Sequence, residues 1–317
     1  MDNGCKDIQL SIVVPVFNAE KYIKECITSI LKIKTFLIEV LIVDNGSIDQ
    51  SIDICKKIAN DDKRVRIFYE KKEGAAAARN HGVRKATGKY ITFIDSDDYI
   101  NPEIYESILN VIFEQKIDCA CFSFNYVDEL GKSLGWYEPK YKKYGKTIKG
   151  NEAAAVFLTS NDIEGFGWNK IFRRQIILDN DFQFDETKRV FEDMVFSFMF
   201  LLSSSNVILF NEKPYFYRQR DESLVHSTLE DDFFEYLKVI NQISDIAEVN
   251  GLQNECKVYL LVRDVQWHYE KMKRNRKCNV DTLNKIYIIR AIYLIMKYQK
   301  SEKMKYLFKL LIVKFWK

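Results

Sequence analysis

Only four prolines occur in 317 residues, and no low-complexity tract or internal repeat interrupts the chain. A long disordered or proline-rich linker is therefore not expected. No Cys-x-x-Cys pair is present, and the seven cysteines, an odd number, are scattered at Cys5, Cys26, Cys55, Cys119, Cys121, Cys256 and Cys278. That spacing argues against a zinc site or a disulfide framework and for reduced thiols. Cys119 and Cys121 would share one strand face as small apolar residues. No apolar run reaches the ~18–20 residues that span a bilayer, and residues 1–7 lack the apolar core of a signal peptide. The expected location is the cytoplasm. The net charge of +3 is too small to imply a polyanion partner, so no nucleic-acid binding is expected. What remains, 47% hydrophobic and 29% charged residues, describes an ordered globular chain large enough for a substantial core and an appended part.

Strand and helix patterns alternate through the first hundred residues. β-branched runs at 8–16, 37–43, 65–69 and 90–94 read as strands. Between them, apolar periodicity at 20–31 and 49–58 and a small-residue stretch at 74–86 read as helices. Ser47 or Asp49 is the expected cap of the second helix. This order predicts an α/β fold, Rossmann-like, with a mainly parallel central sheet flanked by helices. A helix at 102–113, a strand at 118–126, a hairpin or loop at 128–150 and a helix at 152–158 follow. From about residue 229 the pattern is helical, through 236–249, 257–272 and 282–296. The expected division is a catalytic domain over 1–228 and a C-terminal helical extension over 229–317.

Chemistry concentrates where the apolar run at 90–94 ends in Asp95-Ser96-Asp97-Asp98. Packing several carboxylates at a strand end costs desolvation energy unless something positive sits there. Mn²⁺ or Mg²⁺ carrying a diphosphate is one such group; an acidic turn capping the next helix through Asp97 or Asp98 is the plainer reading. Ligands of open α/β sheets bind beyond the carboxyl ends of the strands. Here that edge gathers Pro15-Val16-Phe17-Asn18, Asp44-Asn45-Gly46-Ser47 and the acidic run. Arg79, in the alanine-rich stretch, either reaches this crevice or is an ordinary exposed arginine.

Taken in order, Ser11–Asn18, Val43–Asp49, Gly74–Gly82 with Ala78-Arg79-Asn80, Ile94–Asp98, Trp168-Asn169-Lys170 and Phe191-Glu192-Asp193 resemble the signatures of family 2 glycosyltransferases of the GT-A fold, of the kind that build bacterial polysaccharides. The resemblance covers residues 8–228. It implies an inverting, metal-dependent glycosyltransferase that moves a sugar from a nucleotide-sugar, expected to be a UDP-sugar, to a glycan or lipid-linked acceptor.

By the same resemblance Asp44 would bind the nucleobase, with Pro15 and Phe17 beneath it and Arg79 beside the base or the first carboxylate. Asp95, with Ser96, would contact the donor ribose, and Asp97 would ligate Mn²⁺ or Mg²⁺. Asp193 would be the general base and Glu192 its acceptor-binding partner, although an acidic first turn is also common in any helix. Arg220 and Ser223 would touch phosphate and His226 would be a further metal ligand, while a plain edge strand explains 215–220 equally. Trp168 would stack on a sugar, or lie in the core, with Asn169 and Lys170 on acceptor hydroxyls. Many members carry Asp where Asn45 stands, so nucleotide identity is less firmly implied.

Two alternatives remain: a catalytically silent nucleotide-sugar or glycan-binding protein, and a sugar nucleotidyltransferase. The second lacks its Gly-rich triphosphate loop, since Val16-Phe17-Asn18-Ala19-Glu20 stands there. Finally, Met304, Leu307, Phe308, Leu311, Ile312 and Phe315 fall at helical spacing among lysines. Residues 302–317 are thus expected to contact the cytoplasmic membrane surface, or to pack on protein.

Overall fold

A computed structural model describes residues 7–256, apart from 142, 161, 189 and 221–228. The expected helices at 257–272 and 282–296, the tail 302–317, Ser223 and His226 lie outside the described residues.

The chain begins with β1 (Leu10–Val16), α1 (Ile23–Ile30), β2 (Ile38–Asp44), α2 (Ser51–Asp61), β3 (Val65–Tyr69), α3 (Ala75–Lys85) and β4 (Tyr90–Phe93). β1 pairs in parallel with β2 on one side and with β4 on the other, and β2 pairs in parallel with β3. β1, β2 and β4 are buried on both faces, which is why β1 and β2 read as nearly unbroken apolar runs. The spatial order β3-β2-β1-β4 reverses direction at β1. That reversal opens a crevice at the carboxyl ends of β1 and β4, where ligands of such sheets bind.

Beyond β4 the sheet becomes mixed. The chain continues through β5 (Tyr99–Ile100), α4 (Pro102–Gln115), β6 (Cys119–Val127), β7 (Ser133–Trp136), β8 (Thr147–Ile148) and α5 (Gly150–Thr159). It ends with β9 (Lys170–Arg173), α6 (Arg174–Asp179), α7 (Glu192–Leu202), β10 (Val207–Arg218) and α8 (Leu229–Val249). β9 runs antiparallel between β4 and β6, and β10 lies parallel to β6. β4, β6 and β10 therefore all end at the crevice edge, and the segment before β9 enters from it. The expected hairpin in 128–150 is β7 folding back on β6.

Two apolar layers hold the sheet. On one face Ile12, Val14 and Val16 meet Ile23, Ile27 and Ile30 of α1 and Tyr105, Ile108 and Ile112 of α4. On the other, Phe93 packs edge-on against Phe172, Phe184 and Phe196, and Phe184 stacks on Phe196 at 4.1 Å. This second layer anchors α7. The small residues of α3 allow it to lie close to β1: a Cβ on Gly82 would sit 2.3 Å from Val13 Cγ1. α8 packs on α7, with Tyr236 5.2 Å from Phe191 between ring centres.

α2 starts at Ser51, whose N donates to Asp49 Oδ1 at 2.9 Å, so Asp49 serves the helix start as one of the two expected residues; Ser47 Oγ instead accepts from Asn18 N, tying the ends of β1 and β2 together. α4 is capped by Asn101, whose Oδ1 accepts from Ile104 N, so neither Asp97 nor Asp98 caps it. The described cysteines Cys26, Cys55, Cys119, Cys121 and Cys256 are buried free thiols. Among the described residues no helix is long and apolar enough to cross a membrane.

Candidate active site

The crevice is built from the ends of three parallel strands. At β1, Pro15 is half-buried and Phe17 presents its ring to solvent at 61% exposure. At β2, Asp44 is buried in register with Val16, and its Oδ1 accepts from Ser47 N at 3.1 Å. Asn45 has a structural use of its own. Its Oδ1 accepts from Gly74 N at 2.7 Å and its Nδ2 donates to Lys72 O at 2.7 Å, fastening the loop that leads into α3.

At the end of β4 the acidic run divides. Asp98 is buried and accepts from Tyr215 Oη and from Arg218 N, each at 2.7 Å. Burial, with Asp97 and Asp95 beside it, pushes its carboxyl well above the usual range. Asp97 Oδ2 meets Arg220 Nη2 at 2.6 Å; burial raises its carboxyl and Arg220 opposes the rise. Ser96 is half-buried between the carboxylates. Asp95 Oδ1 meets Arg79 Nη2 at 3.1 Å.

Arg79 joins this edge to α7. It is buried, and its Nη1 donates to Glu192 Oε1, so one guanidinium holds carboxylates from β4 and α7. Although burial opposes the charged form, Asp95, Glu192 and Asp193 outweigh it and raise the Arg79 pKa. The neighbouring Asn80 brackets Phe184, accepting from its N and donating to its O, each at 2.9 Å. That fixes the segment that enters α7. Phe191, just before Glu192, holds the left-handed region at φ 66°, costly for an aromatic residue and set by its surroundings.

Asp193 is half-buried, and its Oδ2 accepts from Gly167 N at 3.3 Å. Burial, with Glu192 next, pushes its carboxyl up to about 7, against the pull of Arg79 and Lys170. A carboxylate titrating near neutrality can take a proton at the pH where it works.

The three residues expected on the acceptor occupy interior positions. Trp168 is buried and stacked between Phe166 at 4.7 Å and Tyr215 at 4.5 Å. Asn169 Nδ2 donates to Phe122 O at 3.3 Å. Lys170 is fully buried and donates to Glu164 O and Phe166 O at 2.6 Å and to Asn169 Oδ1 at 2.8 Å. With these groups engaged inside the protein, all three shape the loop that carries Gly167 to Asp193. A sugar facing them directly would have to displace protein partners. Of the run 215–220, open to reading as a plain edge strand, residues 215–218 belong to the inner strand β10 and 219–220 follow its end, and Tyr215 is fully buried.

For a divalent cation, the donor chemistry fits. The end of β4 offers hard carboxylate oxygens, and Mg²⁺ or Mn²⁺ commonly binds one or two such groups plus substrate phosphates. Among the described residues no three His, Cys, Asp or Glu side chains converge as a self-contained metal site. A metal here would depend on phosphate for the rest of its coordination.

Fold and site define an α/β enzyme with a nucleotide-type crevice at the sheet's switch point and an acid pair facing it. The chain belongs to glycosyl transferase family 2, whose sequence model matches residues 11–192, and it is a glycosyltransferase. It is 30% identical over 228 residues to the glycosyltransferase GlyG of Streptococcus pneumoniae, covering 69% of this chain and 73% of that one. It is 28% identical over 252 residues to the uncharacterized glycosyltransferase EpsJ of Bacillus subtilis, covering 78% and 72%. In structure it is similar to Staphylococcus aureus TarS 1-349 in complex with UDP-GlcNAc, with a TM-score of 0.68, 22% identity and coverage of 95% and 84%. That likeness establishes the GT-A fold.

Proposed function

We propose that this enzyme transfers a sugar, with inversion, from a UDP-sugar to a hydroxyl of a glycan or lipid-linked acceptor, and that it serves bacterial cell-surface polysaccharide assembly at the cytoplasmic face of the membrane. The observation that carries the reading is the single guanidinium of Arg79 holding both Asp95 and Glu192. It brings a donor-side carboxylate and the acid pair of α7, 113 residues away from Arg79 in sequence, to one crevice. The setting and the uridine nucleotide are supported by the named relatives, among them the poly(ribitol-phosphate) β-N-acetylglucosaminyltransferase TarS. The catalytic part is assigned to residues 1–228 and the helical extension to 229–317, with membrane contact assigned to 302–317.

In this mechanism Asp44 accepts hydrogen bonds from the nucleobase, which lies on Pro15 and Phe17. Asp95 and Ser96 hold the ribose. Asp97 would hold Mn²⁺ or Mg²⁺, with His226 as a further ligand, and a bound cation would supply charge neutralisation for the departing diphosphate. Arg220 and Ser223 add contacts to phosphate. Asp193 takes the acceptor proton as the hydroxyl attacks the anomeric carbon from the face opposite the leaving group, which inverts that carbon. Glu192, fixed by Arg79, faces the acceptor beside it, and Trp168, Asn169 and Lys170 support the acceptor side.

The test is donor turnover with Mn²⁺ for the wild type, Asp97→Ala and Asp193→Ala, together with thermal stabilisation by UDP, GDP and TDP. Wild-type turnover lost in both variants, with metal-dependent nucleotide stabilisation lost only in Asp97→Ala, is expected. Full transfer by Asp193→Ala would remove Asp193 as the base. Nucleotide binding with no turnover on any donor would favour a silent binding protein.

A further inference from the structure

The end of β10 carries an arginine that the donor reading does not use. Arg218 is 4% exposed. Its backbone N donates to Asp98 Oδ1 at 2.7 Å and its Nε to Asp97 O at 2.8 Å. Nη1 donates to Glu129 O at 2.6 Å, in the turn between β6 and β7, and Nη2 to Glu25 Oε2 on α1 at 2.7 Å. The guanidinium also lies 4.9 Å from the ring centre of Tyr22 and 5.4 Å from that of Tyr99. Three residues earlier in the same strand, Tyr215 Oη accepts from Asp95 N at 3.2 Å and donates to Asp98. The strand end therefore grips the acidic loop before, at and after Asp97.

The manner of the grip distinguishes it from ordinary charge pairing. Arg218 holds Asp97 by its main-chain carbonyl, while the Asp97 carboxylate faces Arg220. The carboxylate that pairs with Arg218 is Glu25, which is 56% exposed. With Glu25 in solvent the pairing is partly screened, although Arg218 itself is buried. The fixed fork of a guanidinium can instead hold three separate chain segments in register, here α1, the acidic loop and the β6–β7 turn.

We infer that Arg218 is a positioning residue for the donor half of the site: it sets the main chain of residues 95–98 so that the Asp97 carboxylate is presented to the cation and diphosphate of the donor. This rests on the donor reading proposed above. Removing the grip leaves the ligand in place but misaimed, and loss of groups that orient metal ligands costs ~10–100-fold in metal affinity or activity.

The experiment compares the full-length wild type, Arg218→Lys and Glu25→Gln. UDP binding is titrated calorimetrically at several Mn²⁺ concentrations, and UDP-sugar hydrolysis is followed across pH. For Arg218→Lys, which keeps the charge but loses the fork, the Mn²⁺ concentration giving half-maximal UDP binding should rise about tenfold or more. The donor KM should rise with it, while the pH limb assigned to Asp193 stays in place. Glu25→Gln, on an exposed carboxylate, should shift the same two quantities by about threefold, the lesser part of that effect. It decides the matter if Arg218→Lys does not fold. Unchanged Mn²⁺ dependence in a folded variant overturns the role of Arg218 alone, as does a uniform loss of kcat with unchanged donor KM. A wild type that binds no UDP with Mn²⁺ overturns the donor reading and the Arg218 role together.

Discussion

The two halves of the crevice hold their carboxylates in opposite ways. On the donor side, every acid of the 95–98 loop has a strong protein partner: Asp95 has Arg79, Asp97 has Arg220, and Asp98 has Tyr215 and the amide of Arg218. On the α7 side, Glu192 is tied to Arg79, but among the described residues no salt bridge reaches Asp193, which has a long contact from Gly167 N at 3.3 Å. The difference follows from what each group has to do. Carboxylates that bind a cation or a ribose gain from being fixed in advance. A general base gains from a proton affinity near that of the medium, and burial without close pairing gives Asp193 that property.

The variant expected to break this contrast most strongly is Asp193→Asn. It keeps the size of the side chain and an acceptor for Gly167 N but cannot take a proton. Turnover should fall by about 10²–10⁴-fold, the usual worth of a positioned acid or base. The pH dependence carries a sign that can be checked. In the wild type kcat/KM should rise as pH increases through about 7, as Asp193 ionises against Glu192 and Asp95 and with Arg79 and Lys170 beside it. The limb should disappear in the variant. Stability should move the other way. The folded-state pKa of about 7 lies above the ordinary value of 3.8, so the folded protein holds a proton that the unfolded chain has released between them. Asp193 therefore makes the wild type less stable as pH rises across that window. The Asn variant should melt higher than wild type at pH 8 and similarly near pH 4. Equal melting at both values would show that burial does not set the Asp193 pKa.

Arg79→Met tests the ionic link between the halves. Asp95 and Glu192 would lose their shared cation, and Glu192, 9% exposed, would be left buried and uncompensated. Breaking a buried pair in this way costs about 3–5 kcal/mol, readable by denaturant unfolding at pH 7. Both donor and acceptor kinetics should deteriorate, unlike the one-sided effects expected of Asp193 and Arg218. A loss below about 1 kcal/mol, the range of exposed pairs, would mean that the halves are not coupled through Arg79.

How much of this was legible in the sequence also divides along the two halves. Strand ends are local: an apolar run followed at once by Asp44 or by Asp95-Ser96-Asp97-Asp98 marks both the strand and the edge where it stops. The parallel order of the first four strands follows from the alternation with helices. Asn169 and Lys170 were harder to read than Trp168, for which a core position was open, because such polar residues usually face water or ligand, and a buried lysine is rare. Lys170 is accommodated by three oxygens, those of Glu164, Phe166 and Asn169, and their convergence depends on how the loop folds. The role of Arg218 is not legible beside Arg220 because its partners come from α1, the acidic loop and the β6–β7 turn, all remote in sequence. Asn80 was legible as part of a motif, but its grip on Phe184 needs a segment about a hundred residues further on.

The mildest perturbation sharpens the comparison by moving one half alone. Gly165 lies where the loop before β9 passes the first turn of α7; a Cβ there would sit 2.4 Å from Met194 Cγ and 3.2 Å from its Cα. Its carbonyl also accepts from Ser197 Oγ at 3.0 Å, so the loop has little room to retreat. Gly165→Ala should therefore push the loop and α7 apart at a cost of about 1–3 kcal/mol, typical of overpacking. Met194 follows Asp193, and Gly167 holds it, so the displacement should reach the base and leave the 95–98 loop where it is. Turnover should fall while the donor KM and the Mn²⁺ dependence of UDP binding stay at wild-type values. A parallel loss of donor affinity would mean that the two halves move as one body, and that the contrast in how they hold their carboxylates does not make them separable parts.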